Sequence, residues 1–309
     1  MSIEKYNKHR KQSYVEFISK RICIYIYHIF KYYLRSDKYI IKKKFIENLG
    51  YEPNIDHPSS FQEQLQWLKI YDRKKWYPKC ADKIEVKEFI KEILGTNKYN
   101  IPLLYQTSNY RDLKPENLPD APFILKCNHD NNSWILIDDK KKFDWEKIRS
   151  FYRERLSYNF FWINREWPYK NIKPKVMIEA YLQPKDFCLK EYKFYCFNKE
   201  IKYIQYSELF NGKKKYRYLS PDFSQLPTSY KIGDMDILNK EIPCPKNSIE
   251  MINIVKLLSS KFEYYIRIDL FDVDDCIYIG EITFFDGAGY DYIVPEAFQN
   301  EISSHLDLY

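Results

Sequence analysis

The segment RIDLFDVDDCIYIGEITFF, residues 267–285, has the pattern of two β-strands joined by an acidic turn. Side chains alternate between the two faces of a strand, so Arg267 and Asp269 share one face. In the second run, Glu281 and Thr283 also share a face. Two carboxylates on adjacent strands, with an arginine beside them, indicate a hard cation that holds an anionic ligand.

The composition is that of a globular protein, with 45% hydrophobic and 30% charged residues in 309. The net charge of +7 is local: residues 1–50 hold 12 Lys and Arg against 4 Asp and Glu, which leaves −1 for the other 259. This distribution argues against a nucleic-acid groove and indicates an anionic partner for the N-terminal segment. The seven cysteines form no C-x-x-C pair, which predicts a reducing cytoplasm without disulfides or a zinc site.

The segment RICIYIYHIFKYYL, residues 21–34, is apolar and aromatic but too short to span a bilayer. Apolar residues recur at helical spacing and predict an amphipathic helix: Val15, Ile18, Ile22, Ile26, Ile29 and Tyr33. Two interpretations are open. Residues 1–45 bind anionic lipid at the inner face of the cytoplasmic membrane, or the helix packs on the rest of the fold or on a second subunit. The sequence does not specify the oligomeric state.

Helix and turn signals order the rest of the chain. Capping boxes at Ser60-x-x-Glu63 and Asp82-x-x-Glu85 predict two helices, and Gly95 ends the second. Hairpins are predicted around the loop 128–133 and at residues 198–200. Residues 175–182 read as a strand, and residues 144–157 and 247–262 as helices.

This order of elements resembles the ATP-grasp superfamily, specifically the TupA-like proteins of bacterial surface-polysaccharide and teichuronopeptide clusters. The resemblance covers about residues 55–300 and rests on seven motifs: FQEQLQWLKIYDR (61–73), ADKIEVKEFI (81–90), LPDAPFILKCNHD (118–130), KVMIEAYL (175–182), EYKFYCFN (191–198), IRIDLF (266–271) and GEITFFDGAGY (280–290). It implies an α+β fold of the ATP-grasp type, in which two α+β lobes clamp a nucleotide.

The resemblance also implies a division of the chain into four segments. Residues 1–50 form a basic helical extension and residues 51–120 an N-terminal α/β lobe. Residues 121–185 form the lid subdomain, and residues 186–309 form the C-terminal lobe with the magnesium site.

The nucleotide site that the resemblance implies begins with Lys126, which matches the lysine that reaches the α- and β-phosphates. The loop NHDNNS, residues 128–133, takes the place of the flexible phosphate-covering loop but has no glycine, and its His129 matches the family histidine. Asn and Asp tolerate left-handed backbone and can replace glycine there. Further implied cofactor-binding residues are the adenine hinge Glu179, Ala180, Tyr181 and Leu182, then Glu191 for the ribose and Lys193 for phosphate.

Asp269 and Glu281 match the Mg²⁺ ligands of the family, and Thr283 stands where many ATP-grasp enzymes have a third ligand. Arg267 would face the γ-phosphate and, with Lys193, act in catalysis. The alternative is a purely structural network of Arg, Asp and Glu. Three further residues match positions that contact phosphate or the acid substrate, or cap a surface helix: Asp82, Lys83 and Lys87.

The activity that the resemblance implies is ATP-dependent ligation of a carboxylate to an amine through an acyl phosphate, with ATP and Mg²⁺ as cofactors. The expected acid is a uronic acid of a capsule, O-antigen or teichuronic-type glycan, and the expected amine is an amino acid or amino alcohol. Two other functions stay open. One is a sugar-nucleotide glycosyltransferase that uses Asp272-x-Asp274, and the other is a binding protein that keeps the fold without turnover.

Overall fold

The computed structural model describes residues 34–210 and 213–308. Contacts divide these residues into two units. Unit 1 joins the described residues up to Lys44 with Pro102–Tyr181, and unit 2 joins Phe45–Ile101 with the chain from Leu182 onward. The four sequence segments 1–50, 51–120, 121–185 and 186–309 stay a prediction, and the amphipathic helix predicted over residues 15–33 lies outside the described residues.

The described residues include eight α-helices and eleven β-strands. The helices are α1 (Asp37–Leu49), α2 (Phe61–Tyr71), α3 (Tyr77–Ala81), α4 (Val86–Leu94), α5 (Trp145–Arg155), α6 (Phe161–Asn164), α7 (Ser248–Ser259) and α8 (Glu296–Ser304). The strands are β1 (Leu103–Thr107), β2 (Phe123–Cys127), β3 (Ile135–Ile137), β4 (Val176–Ala180), β5 (Leu189–Phe197), β6 (Glu200–Phe210), β7 (Lys213–Leu219), β8 (Lys231–Ile232), β9 (Tyr265–Val273), β10 (Cys276–Thr283) and β11 (Ile293–Val294). Within residues 34–210 and 213–308, no helix has the length and apolarity that crossing a bilayer requires.

Of the two predicted capping boxes, the structure contains one in full and half of the other. The predicted capping box of α2 is confirmed, because the Ser60 hydroxyl accepts the Glu63 N–H at 3.3 Å and the Glu63 carboxylate accepts the Ser60 N–H at 3.2 Å. At Asp82 only the aspartate half of the box forms, and α4 begins later, at Val86. The predicted end of α4 is confirmed by Gly95, whose φ of 70° is the left-handed conformation of a helix C-terminus.

Unit 1 contains an antiparallel sheet with the strand order β1-β4-β2-β3, and its β2–β3 hairpin confirms the predicted turn around the loop 128–133. One face of this sheet and helix α5 form a buried core: Phe123, Leu125, Cys127, Ile137, Trp145, Ile148, Tyr152, Val176 and Ile178. Lys126 and Glu179 alternate with these core residues. The register therefore places both charged side chains on the other face of the sheet.

Unit 2 contains a five-stranded antiparallel sheet with the strand order β10-β9-β5-β6-β7. Its two predicted hairpin turns are confirmed, and both use left-handed backbone: Asn198 and Lys199 have φ of 48° and 71°, and Asp274 and Asp275 have φ of 52° and 66°. Two consecutive residues with positive φ match the twist of the strands on either side. Helix α7 packs on this sheet through β6 and β9.

The pairing register separates this sheet into an apolar and a polar face. The apolar face carries Phe194, Ile204, Leu219, Ile266, Ile268, Leu270, Ile279 and Ile282. The polar face carries Glu191, Lys193, Gln205, Ser207, Lys214, Arg267, Asp269, Glu281 and Thr283. Polar or charged residues from all five strands thereby lie on one surface of unit 2.

A register shift on β10 completes this surface. Ile279 pairs with Leu270, but the next paired residue, Glu281, lies opposite Asp269, so Gly280 is an extra residue in the ladder. Without this bulge Glu281 would move to the apolar face, since a slip of one residue exchanges the two faces of a strand. A Cβ atom on Gly280 would lie 2.6 Å from Cε2 of Phe271, so the bulge leaves no room for a side chain.

Replacement of Gly280 by alanine is therefore expected to lower the free energy of unfolding by about 1–3 kcal/mol, the usual cost of overpacking. Urea unfolding of the Gly280→Ala, Phe271→Leu and double variants measures this effect. The double variant should recover part of the loss, because the shorter leucine vacates the position of the ring edge. A Gly280→Ala protein more stable than the parent would contradict this account of the bulge.

Candidate active site

The charged pair of unit 1 is formed by Lys126 and Glu179, which lie on neighbouring strands and join in a close ion pair. The Glu179 side chain is only 5% exposed and that of Lys126 16%. Both residues are predicted cofactor-binding residues, and the structure brings them together. A buried carboxylate that holds a lysine at a strand end keeps the ammonium in place as a point charge.

The loop 128–133 is tied to unit 1. The Asp130 carboxylate accepts hydrogen bonds from Ser133 Oγ and from Arg155 Nε, the latter at 2.5 Å. Asn132 has a φ of 61°, so an asparagine adopts the left-handed backbone that glycine provides elsewhere. His129 is buried, and its ring lies edge-on to Phe160 at 5.9 Å. The loop expected to be flexible is thus held down in this structure.

The predicted adenine hinge leaves its sheet after Ala180, whose N–H donates to the Pro102 carbonyl at 3.0 Å. The backbone groups of Tyr181 and Leu182 make no hydrogen bond to any other residue that the structure describes. Of the four hinge residues, these two therefore present a backbone that can pair with the edge of a base.

Arg267 and Asp269 form the centre of the polar face of unit 2. Arg267 Nε lies 2.7 Å from Asp269 Oδ1 and Nη2 lies 2.8 Å from Oδ2, which is a two-pronged ion pair. Nη1 of the same arginine donates to Asp286, and Nη2 donates to the Thr283 hydroxyl at 3.2 Å. Arg267 is 7% exposed and Asp269 is 2% exposed, so the pair is shielded from water.

Both partners of this pair stay charged. Burial raises the pKa of Asp269, but the positive charges of Arg267 and Lys193 outweigh burial and hold the pKa below its usual value. For Arg267, burial lowers the pKa, and the charges of Asp269 and Asp286 raise it well above the ordinary value. Asp269 is therefore ionised at neutral pH, as a metal ligand would need to be.

Lys193 extends the cluster along β5. Its Nζ lies 3.3 Å from Asp269 Oδ2 and 3.8 Å from Glu191 Oε2. Burial and the nearby Arg267 lower the pKa of Lys193, and the carboxylates of Asp269 and Glu191 overcome both and raise it. Glu191 also accepts hydrogen bonds from Lys214 and, at 3.1 Å, from the Ser207 hydroxyl.

The predicted metal ligands meet only in part. Glu281 lies opposite Asp269, its side chain is 32% exposed, and its carboxylate is 3.5 Å from Lys83 Nζ. Thr283 lies opposite Arg267 and accepts a hydrogen bond from it. Among the described residues, no three His, Cys, Asp or Glu side chains are placed to hold a metal on their own. An ion at Asp269 and Glu281 would take its other ligands from phosphate and water.

The donor chemistry fits Mg²⁺ with a nucleotide. A carboxylate has about four lone-pair positions, and the three contacts to Asp269 leave one on Oδ1. Among the described residues, Glu281 forms an ion pair only with Lys83, and its side chain is partly exposed. Two further residues were matched to the family together with Lys83. Lys87 donates a hydrogen bond to the Ile101 carbonyl at 2.8 Å, and the Asp82 carboxylate accepts backbone N–H groups of Ile84 and Glu85.

Asp286 is a site residue that sequence reasoning did not assign. It follows β10 and is turned back onto Arg267 and Tyr195 by a left-handed turn over Gly287, Ala288 and Gly289, with φ of 52°, 54° and 68°. The signal in the sequence was the tetrapeptide D-G-A-G, because glycine adopts such φ values without strain.

Two side chains of helix α2 hold the left-handed turn 287–289 in place. Lys69 is fully buried, and its Nζ donates to the Ala288 carbonyl at 2.6 Å and to Gln66 Oε1 at 2.8 Å. Gln66 Nε2 in turn donates to the Gly289 carbonyl at 2.9 Å. These buried polar contacts fix the turn, and through it the position of Asp286. The motif FQEQLQWLKIYDR contains both residues, which the sequence marked only as part of the resemblance.

The two aspartates of the alternative D-x-D motif lie at the end of β9 and in the turn that follows it. Asp274 lies in the left-handed turn between β9 and β10, and its carboxylate accepts the Lys185 N–H at 3.2 Å. Asp272 lies on β9, paired with Lys190 and Ile277 in the ladder. Acidic residues are common at such turns, so the turn alone explains the position of Asp274.

A family model described as TupA-like ATPgrasp matches residues 63–306 of the chain. This range includes every residue of the two charged clusters described above. No curated protein sequence matches the chain.

Solved structures of ligases are similar to the chain at low identity. The D-alanine–D-alanine ligase of Helicobacter pylori is 15% identical, with 80% of this chain and 69% of that one covered and a TM-score of 0.43. The L-amino acid ligase of Bacillus licheniformis is 11% identical, with coverage of 82% and 55% and a TM-score of 0.43. The D-alanine–D-alanine ligase of Bacillus anthracis, complexed with ATP, is 14% identical, with coverage of 66% and 53% and a TM-score of 0.36. The chain thus spans little more than half the length of two of these proteins.

Proposed function

Because the chain belongs to the TupA-like ATP-grasp family, we propose that it is an ATP-dependent ligase that joins a carboxylate to an amine and releases ADP. The α+β fold of the ATP-grasp type, expected from the sequence, is confirmed by the family match. We further propose that the acid is a uronic acid of a bacterial surface polysaccharide and the amine an amino acid or amino alcohol. This choice of substrates rests on the kind of gene cluster in which TupA-like proteins occur.

The observation that carries the proposal is the concentration of buried charge on the polar face of unit 2. Three cations and three anions are joined there in one network: Lys193, Lys214 and Arg267, with Glu191, Asp269 and Asp286. A further ion pair, Lys83 with Glu281, lies at the same face, with Glu281 opposite Asp269. Buried ion pairs contribute little to stability, because desolvation offsets their attraction and apolar side chains often serve equally well. Such a cluster is better explained by a site that binds charged substrates.

The residues take the following roles in this proposal. Asp269 and Glu281, with Thr283, would hold Mg²⁺, and Lys193 and Arg267 would hold phosphate oxygens. Lys126 and His129 would contact phosphate. The base would be contacted by Glu179, Ala180, Tyr181 and Leu182, and the ribose by Glu191. When bound, Mg·ATP would supply the phosphoryl group that activates the substrate carboxylate.

The protein contributes positioning and electrostatics. Arg267 is oriented by Asp269, Asp286 and Thr283 before any ligand arrives, so its charge needs little reorganisation to stabilise a developing negative charge. Phosphoryl transfer asks for little covalent chemistry from the protein, which agrees with a cluster of fixed charges and no nucleophile.

One observation favours the binding-protein alternative. Every charged group of the cluster has a partner of opposite sign, so the network is also complete as a structural element. A protein that binds a nucleotide without turnover would keep this network and lack ADP release.

Glu281→Gln separates the two functions, because it keeps the size of the side chain and removes a proposed metal ligand. We expect ADP release in the presence of uronic acid and amine pairs to fall by about 10²–10³-fold, as the loss of several kcal/mol of charge stabilisation implies. The matched control is Glu241→Gln, an exposed glutamate outside the cluster, which should leave the rate unchanged. Equal ADP release by Glu281→Gln and the parent would contradict the proposal.

We also propose that the polysaccharide acceptor is lipid-linked and that residues 1–33 bring the protein to the cytoplasmic face of the membrane. These residues hold 7 Lys and Arg against 2 Asp and Glu. Each cation near an anionic surface contributes about 1 kcal/mol. Deletion of residues 1–33 leaves α1 intact, including its buried residues Ile40, Ile41 and Phe45.

The truncated protein is expected to lose binding to vesicles of phosphatidylglycerol and phosphatidylcholine, as measured by co-sedimentation. The full chain should bind these vesicles at low salt, bind them less at high salt, and ignore pure phosphatidylcholine. Equal sedimentation of the full and truncated chains would rule out this role for the N-terminal residues.

A further inference from the structure

Unit 1 contains a second charged feature that shares no residue with the candidate active site. It is an open groove of about 520 Å³, lined by Tyr110, Arg111, Lys114, Pro115, Glu116 and Arg149. Four of these residues lie on two short 3-10 turns, Tyr110–Asp112 and Pro115–Asn117. Lys114 immediately precedes the second turn, and Arg149 belongs to α5. This surface is called the basic groove below.

The basic groove has an excess of positive charge, with three cations against the single carboxylate of Glu116. Within the described part of the chain, Arg111, Lys114 and Arg149 form no ion pair. The nearest carboxylate in sequence is that of Asp112, and uncharged groups use both of its oxygens. Thr107 Oγ1 donates to one at 2.7 Å and Asn109 Nδ2 donates to the other at 3.0 Å.

Two of the three cations of the basic groove, Arg149 and Arg111, are held in position. Arg149 Nη1 donates to the carbonyl of Leu113 at 3.2 Å, and Leu113 is itself fully buried in the core of unit 1. The Arg111 guanidinium lies 5.1 Å from the centre of the Tyr110 ring, within the range of a cation–π contact. Groups that are ordered before binding lose less entropy when a ligand arrives.

We propose that the basic groove binds an acidic saccharide. Guanidinium groups pair with carboxylates through two parallel hydrogen bonds, so Arg111 and Arg149 suit uronate carboxylates, with Lys114 as an additional charge. The Tyr110 ring and Pro115 provide apolar surface for the C–H face of a sugar ring. The groove would hold the acidic polymer on which the ligase acts; the identity of that polymer rests on the proposed function, and the binding itself does not.

Binding of fluorescently labelled tri-galacturonate to the full chain tests this site. We expect Arg111→Ala and Arg149→Ala each to weaken binding at least about tenfold, because each variant loses a pair of charge-assisted hydrogen bonds and even one of them contributes that much. The matched control is Lys142→Ala, which removes an exposed cation of the same unit that pairs with Asp138 outside the groove. This control should bind as the parent does, and neutral maltotriose should not compete.

Three results would overturn the proposal: no binding of tri-galacturonate by the parent, equal weakening in the Lys142→Ala control, or displacement of the probe by inorganic phosphate as readily as by unlabelled galacturonate. A thermal unfolding series with Mg·ATP on the same variants separates this site from the proposed active site. A normal nucleotide shift in Arg111→Ala, together with weakened saccharide binding, supports the proposal. If the parent protein binds the saccharide but Mg·ATP does not raise its unfolding temperature, the proposal for the basic groove stands and the proposed ligase activity is contradicted.

Discussion

The pairing of Arg267 with Asp269 is the interaction on which the candidate active site of unit 2 depends. Removal of either residue would leave the other charge buried without a partner, which lowers the free energy of unfolding by several kcal/mol. The pair then fixes where further charges can lie: Lys193 approaches the free side of Asp269, and Asp286 approaches the free side of Arg267. The polar face of the sheet is therefore an ordered network around one central pair.

Two backbone irregularities bring the outer members to this network. The bulge at Gly280 turns Glu281 toward Asp269, and the left-handed turn that begins at Gly287 returns Asp286 to Arg267. Neighbouring side chains support both irregularities. The ring of Phe271 fills the space beside the bulge, and the buried Lys69 binds the turn. Precise placement of charge in unit 2 thus relies on packing from β9 and from helix α2.

Much of this arrangement follows from the sequence. The alternation of Arg267 and Asp269 with apolar residues predicts the polar face, and paired turn residues such as Asn198 and Lys199 predict the hairpins. Asp286 could not be assigned to the network, because only the three-residue left-handed turn brings it back to the sheet. The start of α4 was also missed, since Asp82 caps a loose turn and the helix begins four residues later. Periodicity reports which face a residue takes, but bulges and turns decide which residues meet.

If the network around Arg267 and Asp269 binds Mg·ATP as proposed, the nucleotide must stabilise the purified chain against thermal unfolding. A ligand at about 100 times its Kd adds about 2.7 kcal/mol to the free energy of unfolding, which raises the Tm of a chain of this size by several degrees. The account predicts such a shift with Mg·ATP, a reduced shift in Glu281→Gln, and none with Mg·UDP-glucose. A shift with the sugar nucleotide alone, or no shift with either ligand, would contradict it.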